Sequence, residues 1–118
     1  MGTSLCVLAV DDDRDYCGTL SAALQQEDDR FAVTTAQRAE DAIDRLDGES
    51  FDCIVSDYEM PGMDGLAFLD AVRERDERLP FILLTGSGSE SLASRALSRG
   101  VTDYLPKSGS REQFKILA

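Results

Sequence analysis

Short continuous apolar runs alternate with stretches in which apolar residues recur every three or four positions, and this rhythm constrains the fold more than any other feature. The first apolar run, Leu5–Val10, ends abruptly in acidic residues. A continuous apolar run is typical of a parallel strand covered on both faces, whereas three-and-four spacing indicates an amphipathic helix. The alternation therefore predicts a chain in which strands and helices follow one another in turn.

The pattern predicts five strands and five helices. The predicted strands are 5–10, 31–36, 51–56, 80–85 and 103–105. The first predicted helix runs from Arg14 to about Glu27, and the second from Ala39 to a helix-ending Gly48. The third begins at about Asp64. The fourth carries Leu92, Ala93, Ala96 and Leu97 and stops at Gly100, and the fifth begins with Phe114 and Leu117. The fifth helix reaches the end of the chain at Ala118 after about two turns, which is short for a helix. We therefore expect a truncated fifth helix.

The length of 118 residues, 42% of them apolar, predicts one compact domain over 1–118. Strands joined by helices pair in parallel with right-handed crossovers. The predicted fold is a three-layer, doubly wound α/β sandwich of the flavodoxin-like kind. If its strand order is 2-1-3-4-5, the first and third strands are neighbours that flank the topological switch point. In such a sheet the carboxyl ends of all strands meet at one edge, where ligands bind.

Charge and composition exclude several functions. The formal charge of -11, from 23 acidic and 12 basic residues, opposes direct binding to nucleic acid or to an anionic membrane. The absence of histidine excludes His-ligated zinc, Ser-His-Asp triads and a role as a histidine phosphodonor. No apolar run is long enough to span a membrane and no signal peptide is present, so we expect a cytoplasmic protein.

The cysteines and the basic residues add two minor expectations. Cys6, Cys17 and Cys53 form an odd set without metal-like spacing, so we expect buried thiols that form no disulfide. Lys107 and Lys115 are the only lysines in this acidic chain. This composition favours a halophilic source over an ordinary acidic domain.

Polar side chains follow four of the predicted strands at their carboxyl ends: Asp11 and Asp12, Asp57, Thr85, and Lys107. Each alone is explained by a turn, a helix cap or a solvated loop. Their convergence on one edge favours a functional site. Neighbouring carboxylates at ~4 Å repel by about 4 kcal/mol at an effective dielectric near 20, so the cluster calls for a cation. Mg²⁺ is preferred, because it binds through few carboxylates and then accepts phosphate oxygens. With Lys107 and Thr85 opposite, this arrangement suits phosphoryl transfer to a carboxylate.

Four motifs carry a resemblance to a known family. They are LAVDDD at 8–13, IVSDYEMPGMDG at 54–65, FILLTG at 81–86 and GVTDYLPK at 100–107. With them the chain resembles, from Leu5 to its end, the CheY-like receiver domains of two-component response regulators. The resemblance implies a phosphoacceptor in a phosphorelay rather than a conventional enzyme. Such a domain catalyses its own aspartyl phosphorylation and its slow dephosphorylation. It also implies a histidine kinase or phosphotransfer protein as partner and an output domain, either linked or separate.

The resemblance further assigns roles to residues at the strand ends. Asp57 accepts the phosphoryl group, while Asp12, Asp57 and the main-chain carbonyl of Glu59 hold Mg²⁺ and Asp11 acts through a metal-bound water. Lys107 pairs with the phosphoryl oxygens. By the same resemblance, Thr85 moves to bond them and the ring of Tyr104 shifts inward, which changes the surface of the fourth helix, fifth strand and fifth helix.

One departure from the family pattern and two alternatives accompany this interpretation. Pro106 precedes Lys107 and Ser108 follows it, whereas the family usually has proline directly after the lysine. The first alternative is a phosphatase of the haloacid dehalogenase kind, with Asp11 as the phosphorylated residue. It leaves Asp57 without a role and lacks the expected acid pair after the lysine. The second is an interaction module that works without phosphorylation, which the complete set of acids opposes.

Overall fold

The computed structural model of the protein describes residues 4–86 and 90–106. Within them, five strands alternate with four helices. Their bounds are β1 Leu5–Val10, α1 Arg14–Glu27, β2 Phe31–Ala36, α2 Ala39–Gly48, β3 Cys53–Asp57, α3 Gly65–Arg75, β4 Phe81–Thr85, α4 Glu90–Ser98 and β5 Asp103–Pro106. The predicted fifth helix at 114–117 and the residues 87–89 lie outside the described part of the chain.

The strands form one sheet in the order β2-β1-β3-β4-β5, and every neighbouring pair is parallel. This confirms the predicted doubly wound topology. Apolar side chains fill both faces of the sheet. The larger cluster joins the sheet to α2, α3 and α4, and the smaller cluster joins it to α1. Because helices cover both faces, the central strands are almost entirely apolar and only their ends are polar.

Two aspartates begin helices beside the carboxyl edge of the sheet. The Asp13 carboxylate accepts the main-chain N–H groups of Asp15 and Tyr16 and caps α1. The Asp64 carboxylate accepts the N–H of Ala67 and caps α3. Each cap satisfies helix N–H groups that have no partner within the helix. The loops after β1 and β3 therefore end at fixed points.

The third strand and the end of the second helix differ from the sequence predictions. β3 begins at Cys53 rather than at residue 51. Just before it, the Asp52 N–H donates to the Cys6 carbonyl at 2.7 Å, and the Asp52 carboxylate accepts the N–H of Cys6 at 2.8 Å. Gly48 is the last residue of α2 but does not adopt positive φ; the extended Glu49 ends the helix with its N–H on Arg45. The predicted glycine stop at Gly100 is confirmed by its φ of 88°.

Two predictions about buried side chains are only partly correct. Leu92 and Ala96 are buried on α4, whereas Leu97 is 66% exposed. Leu97 follows Ala96 directly, and about 100° of helix rotation carries its side chain away from the sheet. The other prediction concerned the cysteines, of which Cys17 is buried while Cys6 and Cys53 are half-buried. Burial, with the nearby Asp52 charge, raises the pKa of the Cys53 thiol to about 11, so this thiol is protonated at neutral pH.

No helix within residues 4–86 and 90–106 is long and apolar enough to cross a membrane.

Candidate metal centre at the carboxyl edge of the sheet

The pairing of β1 with β3 brings three carboxylates together. Val10 lies opposite Ser56 in the parallel ladder, so Asp11 and Asp57 follow at the same level on neighbouring strands. One carboxylate oxygen from each of Asp11, Asp12 and Asp57 lies within 4.8 Å of the other two. The structure therefore brings together the three acids that the sequence predicted as a cluster.

Burial sharpens the electrostatics of this cluster. Asp11 and Asp57 are only 3% and 5% exposed, whereas Asp12 is open to solvent. Like charges repel more strongly where water is excluded. The Asp11 Oδ1 atom accepts the N–H of Asp13 at 2.9 Å, which orients this carboxylate. The donor set consists of carboxylate oxygens, one of them from a solvent-exposed residue, and this fits a hard divalent cation that keeps some of its waters, such as Mg²⁺.

The carboxylates open into a pocket of 740 Å³ at the same edge. Its lining residues are Asp12, Asp13, Asp57, Tyr58, Glu59, Met60, Pro61, Asp64 and Gly86. Five of the nine are acidic, and none of the described lining residues is basic. Glu59 stands in the wall with an exposed side chain, in keeping with its predicted position beside the metal. The negative potential of this pocket attracts cations and disfavours an anion that arrives without one.

A close backbone contact fixes the loop that carries Asp57. The N–H of Gly65 donates to the carbonyl oxygen of Tyr58 at 2.8 Å, and the N–H of Tyr58 donates to Leu84 at 2.8 Å. A Cβ atom at Gly65 would lie 2.5 Å from the carbonyl oxygen of Asp57. Only glycine permits this approach of α3 to the end of β3.

Sequence reasoning assigned no role to Gly65 beyond its place in the motif at 54–65. The available signal was the position of Gly65 directly after Asp64, the residue that caps α3.

Thr85 and Tyr104 share one face of the sheet. Leu83 pairs with Tyr104, so Thr85, two residues after Leu83, points to the same side as both. Thr85 is fully buried at the end of β4, and the half-buried Tyr104 packs against the larger core cluster. The Tyr104 hydroxyl is buried and has no hydrogen-bond partner among the residues that the structure describes. Lys107, the remaining predicted site residue, lies outside the described residues.

A parallel sheet of this order, with three clustered carboxylates at the ends of its first and third strands, defines a doubly wound α/β fold with an acidic site at its topological switch point. Residues 7–117 match the response regulator receiver domain family. The chain belongs to this family, which makes it a receiver domain of two-component signalling.

Relatives and solved structures agree with this membership. The transcriptional regulatory protein FixJ of Bradyrhizobium diazoefficiens is 35% identical over 107 residues, which are 91% of this chain and 51% of FixJ. The C4-dicarboxylate transport transcriptional regulatory protein DctD of Rhizobium meliloti is 37% identical over 91% of this chain and 23% of DctD. The structure of the chemotaxis protein CheY4 of Vibrio cholerae superposes with a TM-score of 0.90 at 31% identity over 98% of this chain and 97% of CheY4.

Three points follow from these comparisons. The chain spans about half the length of FixJ and about a quarter of DctD. The halophilic archaeal source that the composition suggested is not supported by any of them. Membership of the receiver family also speaks against the haloacid dehalogenase alternative.

Proposed function

We propose that Asp57 accepts a phosphoryl group from the phosphohistidine of a partner kinase or phosphotransfer protein. The observation that carries this proposal is the clustering of Asp11, Asp12 and Asp57 within 4.8 Å at one sheet edge. An Asp57 carboxylate oxygen attacks phosphorus, the P–N bond to the partner's imidazole breaks as the new P–O bond forms, and the imidazole leaves. The chain has no histidine, so the phosphohistidine lies outside residues 1–118.

The three acids and the Glu59 main chain divide the work of binding and orientation. In the proposed site Asp12, Asp57 and the Glu59 carbonyl hold Mg²⁺, and Asp11, oriented by the Asp13 N–H, binds one of its waters. When bound there, Mg²⁺ would supply charge neutralisation for the phosphoryl oxygens. Burial of Asp57 excludes bulk water from the acceptor oxygen. The same arrangement supports the slow autocatalytic dephosphorylation that the family resemblance implies.

The proposed switch connects the acceptor to the far side of β4. Lys107 pairs with a phosphoryl oxygen, Thr85 moves to donate its hydroxyl to another, and the ring of Tyr104 follows into the space behind it. The lack of a partner for the Tyr104 hydroxyl among the described residues supports this step. A buried hydroxyl without a hydrogen bond costs about 1–3 kcal/mol, so a second ring position that satisfies it competes with the first.

Partners and location are part of the proposal. The receiver domain acts in the cytoplasm with a histidine kinase or phosphotransfer protein and signals to an output domain, linked or separate. Its strong negative charge favours a protein partner over direct contact with nucleic acid.

The deciding experiment is intact-mass analysis of the chain after incubation with acetyl phosphate and Mg²⁺. We expect the mass of one added phosphoryl group, lost in chelator and lost in Asp57→Asn. Reductive trapping and peptide mapping then locate the modified residue. Modification of Asp11 instead would support the phosphatase mechanism, and an unmodified chain would support an interaction module that needs no phosphorylation.

A further inference from the structure

Two arginines tie the carboxyl-terminal end of α4 to α3. The Nε of Arg73, in the last turn of α3, donates to the carbonyl oxygen of Gly100 at 2.9 Å. Arg99, at the same end of α4, has its Nη1 atom 3.7 Å from an Asp70 carboxylate oxygen. Both contacts join α3 to the two residues directly after α4, Arg99 and Gly100.

The Arg73 guanidinium also closes the loop from α3 to β4. Its Nη1 atom donates to the carbonyl oxygens of Asp76 at 3.1 Å and Leu79 at 2.6 Å. One planar side chain thus binds three main-chain carbonyls from two separate corners. Arginine suits this task because its donors stand in a rigid fork and its charge persists at all relevant pH values. The charge also complements the carboxyl-terminal dipole of both helices.

The corner after α4 is built to receive this side chain. Gly100 adopts a φ of 88°, its N–H donates to Leu97, and the N–H of Val101 donates to Ala96. A Cβ atom at Gly100 would approach the Arg73 Nε to 3.2 Å. Glycine therefore ends the helix and leaves room for the guanidinium.

The opposite end of α4 faces the proposed switch. Glu90 begins the helix only five positions after the buried Thr85. The amino end of α4 is therefore the end that lies nearer in sequence to the proposed switch. Ser91 and Leu97, both exposed, lie six residues and about 9 Å apart along the helix.

We propose that Arg73 is a positioning residue that anchors the carboxyl end of α4, so that phosphorylation of Asp57 swings the amino end of the helix about a pivot at Gly100. This inference rests on the proposed function. It names the pivot and predicts a large displacement of the helix at Ser91 and a small displacement at Leu97.

Tryptophan fluorescence tests the pivot, because the chain contains no tryptophan of its own. Ser91→Trp and Leu97→Trp each place a single indole at one end of α4. On addition of acetyl phosphate and Mg²⁺, we expect the emission maximum of Ser91→Trp to shift at least three times as far as that of Leu97→Trp. Equal shifts at the two positions, with phosphorylation verified by mass, would overturn the anchor.

Substitution of Arg73 provides a second test of the proposal. In an Arg73→Met background the Leu97→Trp shift should rise to at least half the Ser91→Trp shift, and Arg73→Lys should restore the original ratio in part. Asp70→Asn, which removes only the Arg99 contact, covers the case in which Arg73→Met does not fold. It should raise the Leu97→Trp response by a smaller amount.

Arg75→Met is the matched control, because Arg75 lies on the same helix as Arg73 but donates to Asp47 and to the Ala71 carbonyl rather than to the corner after α4. It should leave the ratio unchanged. If Arg73→Lys and Asp70→Asn also leave the ratio of the Leu97→Trp shift to the Ser91→Trp shift unchanged, Arg73 contributes only to stability. A chain that gains no phosphoryl mass would remove the proposed function and the pivot with it.

Discussion

The two edges of the sheet use acidic side chains in opposite ways. At the amino edge, where helices lead into strands, aspartate and glutamate lie beside arginine. At the carboxyl edge, Asp11, Asp12 and Asp57 lie beside one another in a pocket whose described lining contains five acids and no base.

The amino-edge pairs are ordinary surface ion pairs. Arg30 lies 2.6 Å from Asp28, and Arg75 lies 3.0 Å from Asp47. Hydrogen bonds from the Arg30 side chain and main chain lower the pKa of the Asp28 carboxyl to about 2. Exposed pairs of this kind contribute only ~0–1 kcal/mol to stability, because water and salt screen them.

The carboxyl edge gathers charge that a neutral core would avoid. In the proposed site, repulsion among these acids favours the binding of a cation. The same residue type thus serves solubility at one edge and chemistry at the other, and the difference is set by the proximity of further acids.

Gly65→Ala should have the largest effect on the comparison. The new methyl would meet the backbone of Asp57 and Tyr58 at 2.5 and 2.8 Å, so α3 must move away from the site. We expect a loss of about 3 kcal/mol in the free energy of unfolding, measured by urea denaturation. Gly18→Ala, in the open middle of α1, is the control and should stabilise the domain by about 0.5–1 kcal/mol. Equal stability of both variants would contradict the close contact.

Magnesium should stabilise the wild-type domain next most strongly. Ligand linkage gives about 2.7 kcal/mol at a hundredfold excess over the dissociation constant. Thermal melting across a magnesium titration measures it. Asp12→Asn should remove most of the gain, and Asp47→Asn, at the amino edge, should retain it. A flat titration in the wild type would eliminate the metal centre.

Asp57→Asn should stabilise the protein in chelator, because it removes one of three like charges within 4.8 Å. We expect a gain of about 2 kcal/mol, since the screening around a partly buried pair lies between that of water and that of the interior. Chemical denaturation in the presence of chelator provides the measurement. An unchanged or lower free energy of unfolding would show that repulsion at this edge is already relieved.

Asp47→Asn should change least. Its partner Arg75 is 39% exposed, and Asp47 itself is 57% exposed. The expected change in unfolding free energy is less than about 0.5 kcal/mol at moderate salt. A loss comparable to that of Gly65→Ala would erase the distinction between the two edges.

Most element positions were predictable because hydrophobic periodicity reports burial directly. β1, α1 and β2 match their predicted bounds. The start of β3 was not predictable, because the bonds that Asp52 makes there join it to Cys6, 46 residues away in the chain. Leu97 was misplaced because Leu97 and Ala96 are equally apolar in sequence, and helix rotation separates them.

For the site, the sequence alone determined which side chains stand at the strand ends and that parallel wiring sends them to one edge. Only the tertiary structure decided that Asp11 and Asp57 are buried while Asp12 is not, that Gly65 lies against the Asp57 backbone, and that Arg73 holds the corner at Gly100. The physical reason is the distance along the chain over which each property is set. Periodicity and strand polarity are local properties of the chain, whereas burial, backbone approach and a hydrogen bond across 27 residues arise only when distant segments pack together.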